Sequence, residues 1–185
     1  MTHRKLALPL VAAAIIGLGA CSSQNPGTPV ANNSTGSAPT SGNSTSQADP
    51  LASTDPCTLV TQSQVSGNEL EPPTPANAPG GRACRWTRPD DGATVDGYEL
   101  QIVIYNTAGI DQLKTTGGTV TDYSVGKYHG KLFRNTPLSI CAVSLPTTDS
   151  SRIDIQANSN LGMDESCKLA QQLAPAVVAN FPAGS

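Results

Sequence analysis

Two stretches of the chain alternate regularly between apolar and polar residues, the pattern of a strand with one buried face. Residues 98–104 place Tyr, Leu, Ile and Ile at every second position, and residues 152–158 place Ile153, Ile155 and Ala157 on one side. Both stretches are therefore predicted as strands. Weaker strand signals occur at residues 82–88, 119–125, 131–134 and 138–145, the last two as a hairpin around Asn135-Thr136-Pro137.

Helical spacing of apolar residues is clearest near the end of the chain. Residues 165–180 are predicted as a helix with Asp164 as its N-cap, and Pro175 is expected to bend this helix near Gln171. The apolar stripe that would face the core consists of Cys167, Ala170, Ala174, Val177 and Phe181.

Two further helices are predicted upstream. Residues 57–66 follow Asp55 and Pro56, which are favoured as N-cap and first helical residue. Residues 109–115 are predicted as a short helix that uses Ile110 and Leu113. The proline- and glycine-rich residues 72–81 are predicted as a loop.

The order of these elements indicates the fold class. Hairpin-length links favour antiparallel pairing, whereas a parallel α/β fold would need a helix between successive strands. The prediction is an α+β fold: an antiparallel sheet of about five to six strands, with an N-terminal helix and a long C-terminal helix packed on one face.

The first 21 residues read as an export signal. A basic start at residues 3–5 precedes an uncharged apolar run that is shorter than the ~20 residues needed to cross a bilayer. Leu18-Gly19-Ala20-Cys21 resembles the lipobox of bacterial lipoproteins, which implies cleavage before Cys21 and lipid on its thiol and new amino group. The alternatives are an ordinary signal peptide with a chance cysteine, or a short membrane anchor.

Residues 22–48 contain no charged residue and consist almost entirely of Ser, Thr, Asn, Gly, Pro, Gln and Ala. This composition buries too little apolar surface to offset the entropy of ordering it, so a flexible tether is predicted. The predicted organisation is a signal peptide at 1–20, a lipidated Cys21 with its tether at 21–54, and one domain at 55–185.

Four cysteines remain after Cys21, an even number that favours disulfides in an exported domain. Three pairings are possible, and Cys57–Cys84 with Cys141–Cys167 is favoured because each bond closes a local loop of about equal length. Zinc binding is disfavoured because no two of these cysteines have the close spacing of structural zinc ligands. Catalytic thiols are disfavoured because no Cys-x-x-Cys is present.

The motifs around these cysteines resemble a family of actinobacterial exported lipoproteins of unknown function. The resemblance covers residues 55–182 and implies an exported, disulfide-stapled, membrane-tethered domain with no assigned activity. Its layout is also similar to that of small extracytoplasmic sensor domains, which favours binding over catalysis. The matching motifs are Asp55-Pro56-Cys57-Thr58-Leu59-Val60, Cys84-Arg85-Trp86, Cys141, Asp164-Glu165-Ser166-Cys167-Lys168-Leu169-Ala170 and Asn180-Phe181-Pro182.

Charge and composition limit the candidate chemistry. The net charge of −3 argues against a nucleic-acid binder, and no metal or cofactor motif is present. His129, the single histidine outside the signal peptide, lacks a nucleophile motif and is predicted to be solvated. Arg82, Arg85 and Arg88 are the one notable charge cluster, interpreted either as stems covering the sheet or as an anionic-ligand patch.

The functional prediction is a lipoprotein anchored through Cys21 on the extracytoplasmic face of a bacterial cell membrane. Its domain is predicted to be a non-catalytic binding or sensor-like module for an envelope small molecule, polymer or protein, with no cofactor. The alternatives are an envelope hydrolase or transferase without a recognisable motif, and a purely structural envelope protein.

Overall fold

The computed structural model describes residues 49–92 and 97–182. The chain divides into residues 1–43 and 44–185, and every described residue belongs to the second unit. Its strands are β1 (Thr74–Ala78), β2 (Gly81–Arg88), β3 (Tyr98–Tyr105), β4 (Thr119–Val125), β5 (Tyr128–Asn135), β6 (Ile140–Thr148) and β7 (Ser151–Ser159). Its α-helices are α1 (Gln62–Val65) and α2 (Met163–Ala179), and its 3₁₀ helices are Pro56–Thr58, Ser66–Asn68, Ile110–Gln112 and Thr136–Leu138.

All seven strands join one antiparallel sheet in the order β1-β2-β3-β7-β6-β5-β4. Two meanders, β1 to β3 and β4 to β7, meet where β3 pairs with β7. The connection from β3 to β4 must therefore cross four strand spacings, about 19 Å at the usual separation. We call residues 106–118 the β3–β4 loop.

One face of the sheet carries the apolar core. The α2 helix packs across β6 and β7, and the N-terminal segment packs on β2 and β3. Because strand side chains alternate between faces, this helix-covered face receives the apolar members of the two alternating stretches. Its fully buried side chains include Trp86, Leu100, Ile102, Ile104, Val143, Leu145, Ile153, Ile155 and Val177.

The antiparallel sheet and the C-terminal helix are confirmed, whereas the predicted strand number is too low. The missed strand is β1, which lies within the predicted loop 72–81. Pro75 has no amide hydrogen, so β1 tolerates it only because the strand lies at the edge of the sheet. Backbone pairing with β2, rather than an apolar pattern, holds β1 in place.

The bounds of all three predicted helices also need correction. Residues 57–66 do not form one helix: Pro56–Thr58 is a 3₁₀ turn capped by Asp55, and α1 follows with Thr61 in a capping box. The α2 helix begins at Met163 after Gly162, so Asp164 lies in its first turn instead of capping it. The predicted short helix at 109–115 is only the 3₁₀ turn Ile110–Gln112.

The ordered domain begins before the predicted boundary at residue 55. Leu51 is fully buried in the core, and the Arg82 guanidinium donates to the carbonyl oxygens of Leu51 (2.6 Å) and Thr54. The sequence gives little sign of this because Leu51 is a single apolar residue next to a polar segment. Within the described residues, no helix is long and apolar enough to cross a membrane.

Candidate functional site

The second face of the sheet differs from the helix-covered face because the β3–β4 loop crosses it. Glycines allow close approach at both ends of this loop. A Cβ atom on Gly109 would collide with the Asp149 carbonyl, and one on Gly118 would collide with the Phe133 ring. The loop therefore seats closely at its two ends and forms the wall of a cleft between them.

The floor of this cleft carries a buried ion pair on β7. The side chains of Arg152 and Asp154 are only 6 % and 11 % exposed, and Arg152 Nε lies 3.1 Å from Asp154 Oδ1. Arg152 Nη1 also donates to the backbone carbonyls of Ala108 (3.0 Å) and Gly109 (3.1 Å). The pair thus connects the sheet to the loop above it.

Tyr105 completes this arrangement from the neighbouring strand. The centroid of its ring lies 4.1 Å from the Arg152 guanidinium carbon, a cation–π contact. Burial raises the pKa of the Tyr105 hydroxyl, and the Asp154 charge adds to that rise. Burial also raises the pKa of Asp154, an effect that the Arg152 charge partly offsets.

The cleft has a volume of about 550 Å³, within the usual ~300–1,000 Å³ range of small-molecule sites. Apolar and polar groups share its lining, so it suits an amphipathic occupant. The apolar side comprises Tyr105, Leu113, Phe133 and Ala142, and the polar side comprises Gln112, Lys114, Arg152, Asp154 and Gln156.

A second cavity of about 570 Å³ lies on the other side of the β3–β4 loop and is lined by Ile110, Asp111, His129 and Asp149 among others. It opens more widely to solvent than the cleft. His129 is exposed, as predicted, and its Nδ1 lies 2.9 Å from Ser124 Oγ on the adjacent strand. Because neither partner is buried, this serine–histidine pair lacks the shielded surroundings that electrostatic catalysis uses.

The structure does not bring the three predicted arginines together. Arg82 and Arg88 share the helix-covered face but stand about 20 Å apart along β2, given the strand rise of about 3.3 Å per residue. Arg82 binds the N-terminal segment, and Arg88 contacts Glu69 (3.0 Å) and the Tyr98 ring. Arg85 lies on the second face, 3.5 Å from Glu99. The three arginines of β2 therefore share no common surface that could form a single anionic-ligand patch.

The four domain cysteines form the two bonds that the sequence favours, Cys57–Cys84 and Cys141–Cys167. Both bonds lie in the helix–sheet layer, where Cys84 and Cys141 are fully buried. Both bonds therefore have a structural role in the core, and neither lines the cleft. Cys21, the predicted lipid site, lies outside the described residues. Within the described residues, no three His, Cys, Asp or Glu side chains are placed to hold a metal ion.

Sequence reasoning missed Arg152 and Asp154. Both are the outward members of an alternating strand, the positions normally assigned to solvent. The sequence does carry a signal for the loop that covers them: the glycines at 109, 117 and 118 flank the apolar residues Ile110 and Leu113. That pattern fits a loop seated on a sheet rather than a solvated helix.

Comparison with curated proteins gives no match, and comparison with solved structures gives none either. A family model does match, over residues 16–180, and its description is protein of unknown function (DUF3558). This match spans most of the chain, including the whole described domain up to the end of α2. The chain therefore belongs to the DUF3558 family.

Proposed function

We propose that this protein is a lipid-anchored, extracytoplasmic binding module whose cleft takes a small amphipathic molecule. The observation that carries the proposal is the Arg152–Asp154 pair, buried at the floor of a cleft on the face opposite the core. A buried ion pair is weak evidence for stability, because desolvation of two charges offsets much of their attraction. Its place in a cleft with mixed lining therefore favours a binding role.

The lining supports a ligand with an apolar body and hydrogen-bonding groups. Tyr105 and Phe133 stand on β3 and β5, three strand spacings (about 14 Å) apart across the sheet and four residues (about 13 Å) apart along it. Between them, Gln156 and Asp154 offer an amide and a carboxyl group along β7. Arg152 is already compensated by Asp154, so a strongly anionic ligand gains little there.

Binding is preferred over catalysis because the cleft lacks a paired nucleophile and base. The serine–histidine contact lies at the other cavity, and both residues are exposed. The envelope hydrolase or transferase predicted as an alternative would have to use that surface.

A ligand screen tests the cleft directly. A fluorinated fragment library is added to the full-length protein, and binding is mapped by NMR chemical shifts. Fragments that bind should shift the NMR resonances of Tyr105, Phe133 and Gln156. Gln156→Trp, which fills the cleft, should abolish this binding. Thr147→Trp, in the second cavity, is the matched control and should leave it unchanged. Hits that map to His129, or no hits at all, would overturn the proposal.

Anchoring rests on the lipobox at Cys21 and is supported by the two disulfides, which fit an oxidising compartment. Two or more acyl chains hold a protein stably at a membrane, at ~0.8 kcal/mol per buried CH₂. Cys21→Ser should therefore shift the protein from the detergent phase to the aqueous phase in a phase-separation assay. Equal partitioning of the variant and the parent would contradict lipid anchoring.

A further inference from the structure

Residues 49–54, which we call the entry segment, dock on the domain near the cleft. Leu51 is fully buried in the core, and its amide donates to Asp49 Oδ1 at 2.9 Å. Arg82 holds the segment from β2 through the carbonyls of Leu51 and Thr54. The entry segment, which is the last part of the tether predicted at 21–54, joins the domain to the rest of the upstream chain.

Asn106 links the entry segment to the cleft. Its Oδ1 accepts from Arg82 Nε and Nη2, both at 3.3 Å, and its Nδ2 donates to Asp49 Oδ2 at 2.8 Å. Asn106 is also the first residue of the β3–β4 loop, directly between Tyr105 and Thr107. Because both neighbours line the cleft, one side chain bridges the entry segment and the cleft wall.

The entry segment is suited to undocking without unfolding of the domain. Leu51 is its single fully buried apolar anchor, and hydrogen bonds to Arg82 and Asn106 hold the segment near one end of the sheet. Segments with few buried apolar contacts open at lower free energy than core strands. Release of the entry segment should thus cost less free energy than unfolding of the sheet.

We propose that docking of the entry segment controls the cleft: when docked, it fixes the start of the β3–β4 loop through Asn106, and when released, it loosens this wall. The inference rests on the proposed function, since the cleft is the proposed ligand site. Tension on the upstream chain, or a partner that binds it, would then alter ligand affinity. By linkage, ligand in the cleft would favour the docked segment.

Hydrogen exchange on the full-length protein, read by mass spectrometry, tests this coupling without any ligand. Asn106→Ala removes the bridge and Leu51→Ala removes the apolar anchor. Both variants should raise amide exchange within residues 107–116 by about tenfold, the factor produced by a loss of about 1.4 kcal/mol in local opening free energy. Amides in β7 and α2 should still exchange much more slowly than those of the loop, because they open only when the domain unfolds. Arg85→Met, on the same strand as Arg82 but paired with Glu99, is the control and should leave the loop unchanged.

Two results would overturn the coupling. In the first, exchange in residues 49–54 rises while the loop stays protected, so that release leaves the wall intact. In the second, the loop amides are as strongly protected as those of β7 and α2 in the variants, which would mean that the loop opens only when the whole domain unfolds. Neither result depends on the fragment screen, so failure of the coupling and failure of the proposed function remain distinguishable.

Discussion

The two faces of the sheet use the same strands for different purposes. On the helix-covered face, aliphatic side chains, Trp86 and two disulfides form a buried layer beneath α2 and the N-terminal segment. On the second face, the β3–β4 loop encloses a buried ion pair and leaves a cleft. The comparison indicates that stability is concentrated on one face and candidate chemistry on the other. Each of the following experiments strengthens or weakens that separation.

The largest effect is expected when both disulfides are reduced. Each bond closes a loop with a sequence separation of 26 or 27 residues, and each should contribute about 3–4 kcal/mol through the unfolded state. Urea unfolding of reduced and oxidised protein measures the loss. Non-reducing peptide mapping should recover Cys57 joined to Cys84 and Cys141 joined to Cys167. Equal unfolding midpoints would show that the helix-covered face does not depend on its bonds.

Breaking the ion pair on the second face should have the next largest effect. Arg152→Met leaves the Asp154 carboxylate buried without its partner, which typically costs about 3–5 kcal/mol. The double variant Arg152→Met/Asp154→Leu should recover most of that loss, since apolar replacement of a buried pair is often neutral. A double-mutant cycle by urea unfolding measures both. If the double variant is as unstable as the single one, the pair serves the fold, and the comparison between faces weakens.

Replacing the titratable Asp154 by asparagine should have a smaller, pH-dependent effect on the free energy of unfolding. Its raised pKa means that the folded state holds this proton more tightly than the unfolded state, where the pKa is near 3.8. The resulting stability is fully present below pH 3.8 and is lost as pH rises through the folded pKa. As pH rises across this window, the free energy of unfolding of Asp154→Asn should therefore fall less than that of the parent. Parallel pH profiles in urea titrations would contradict the raised pKa.

Truncating the cleft rim should have the smallest effect on stability. Lys114 is exposed on the β3–β4 loop, so Lys114→Ala should change the free energy of unfolding by less than about 0.5 kcal/mol. The same variant should alter the affinity of fragments that bind the cleft. A clear loss of stability, with fragment affinity unchanged, would assign the rim a structural role instead.

The sequence is sufficient to predict an element where its pattern of buried residues is set within that element. The strands at Tyr98–Tyr105 and Ser151–Ser159 and the stripe of α2 follow from periodicity, because their apolar sides face one continuous core. The β1 strand escapes prediction because its place depends on backbone pairing with β2, to which its side-chain pattern gives no clue. The early start of the domain escapes prediction because a single leucine, Leu51, provides the apolar anchor.

The cleft could not be predicted from periodicity because it results from the order of the strands. Alternation correctly assigns Arg152 and Asp154 to the face opposite the core, but it cannot show that a connection covers that face. Only the position of β4 at the far edge requires the β3–β4 loop to cross the sheet. A local pattern therefore reveals which way a side chain points, whereas topology decides whether water reaches it.

The pairing of consecutive cysteines bears on how the domain matures. Cys57 and Cys84 precede Cys141 and Cys167 in the chain, so a polypeptide that emerges amino terminus first presents one complete native pair before the next. With Cys21 lipidated as proposed, oxidation of the four domain cysteines in order of appearance then yields both native bonds without a disulfide exchange step. If the chain is exported as proposed, the Cys57–Cys84 bond can thus form before β6 and α2, which carry the second cysteine pair, have emerged.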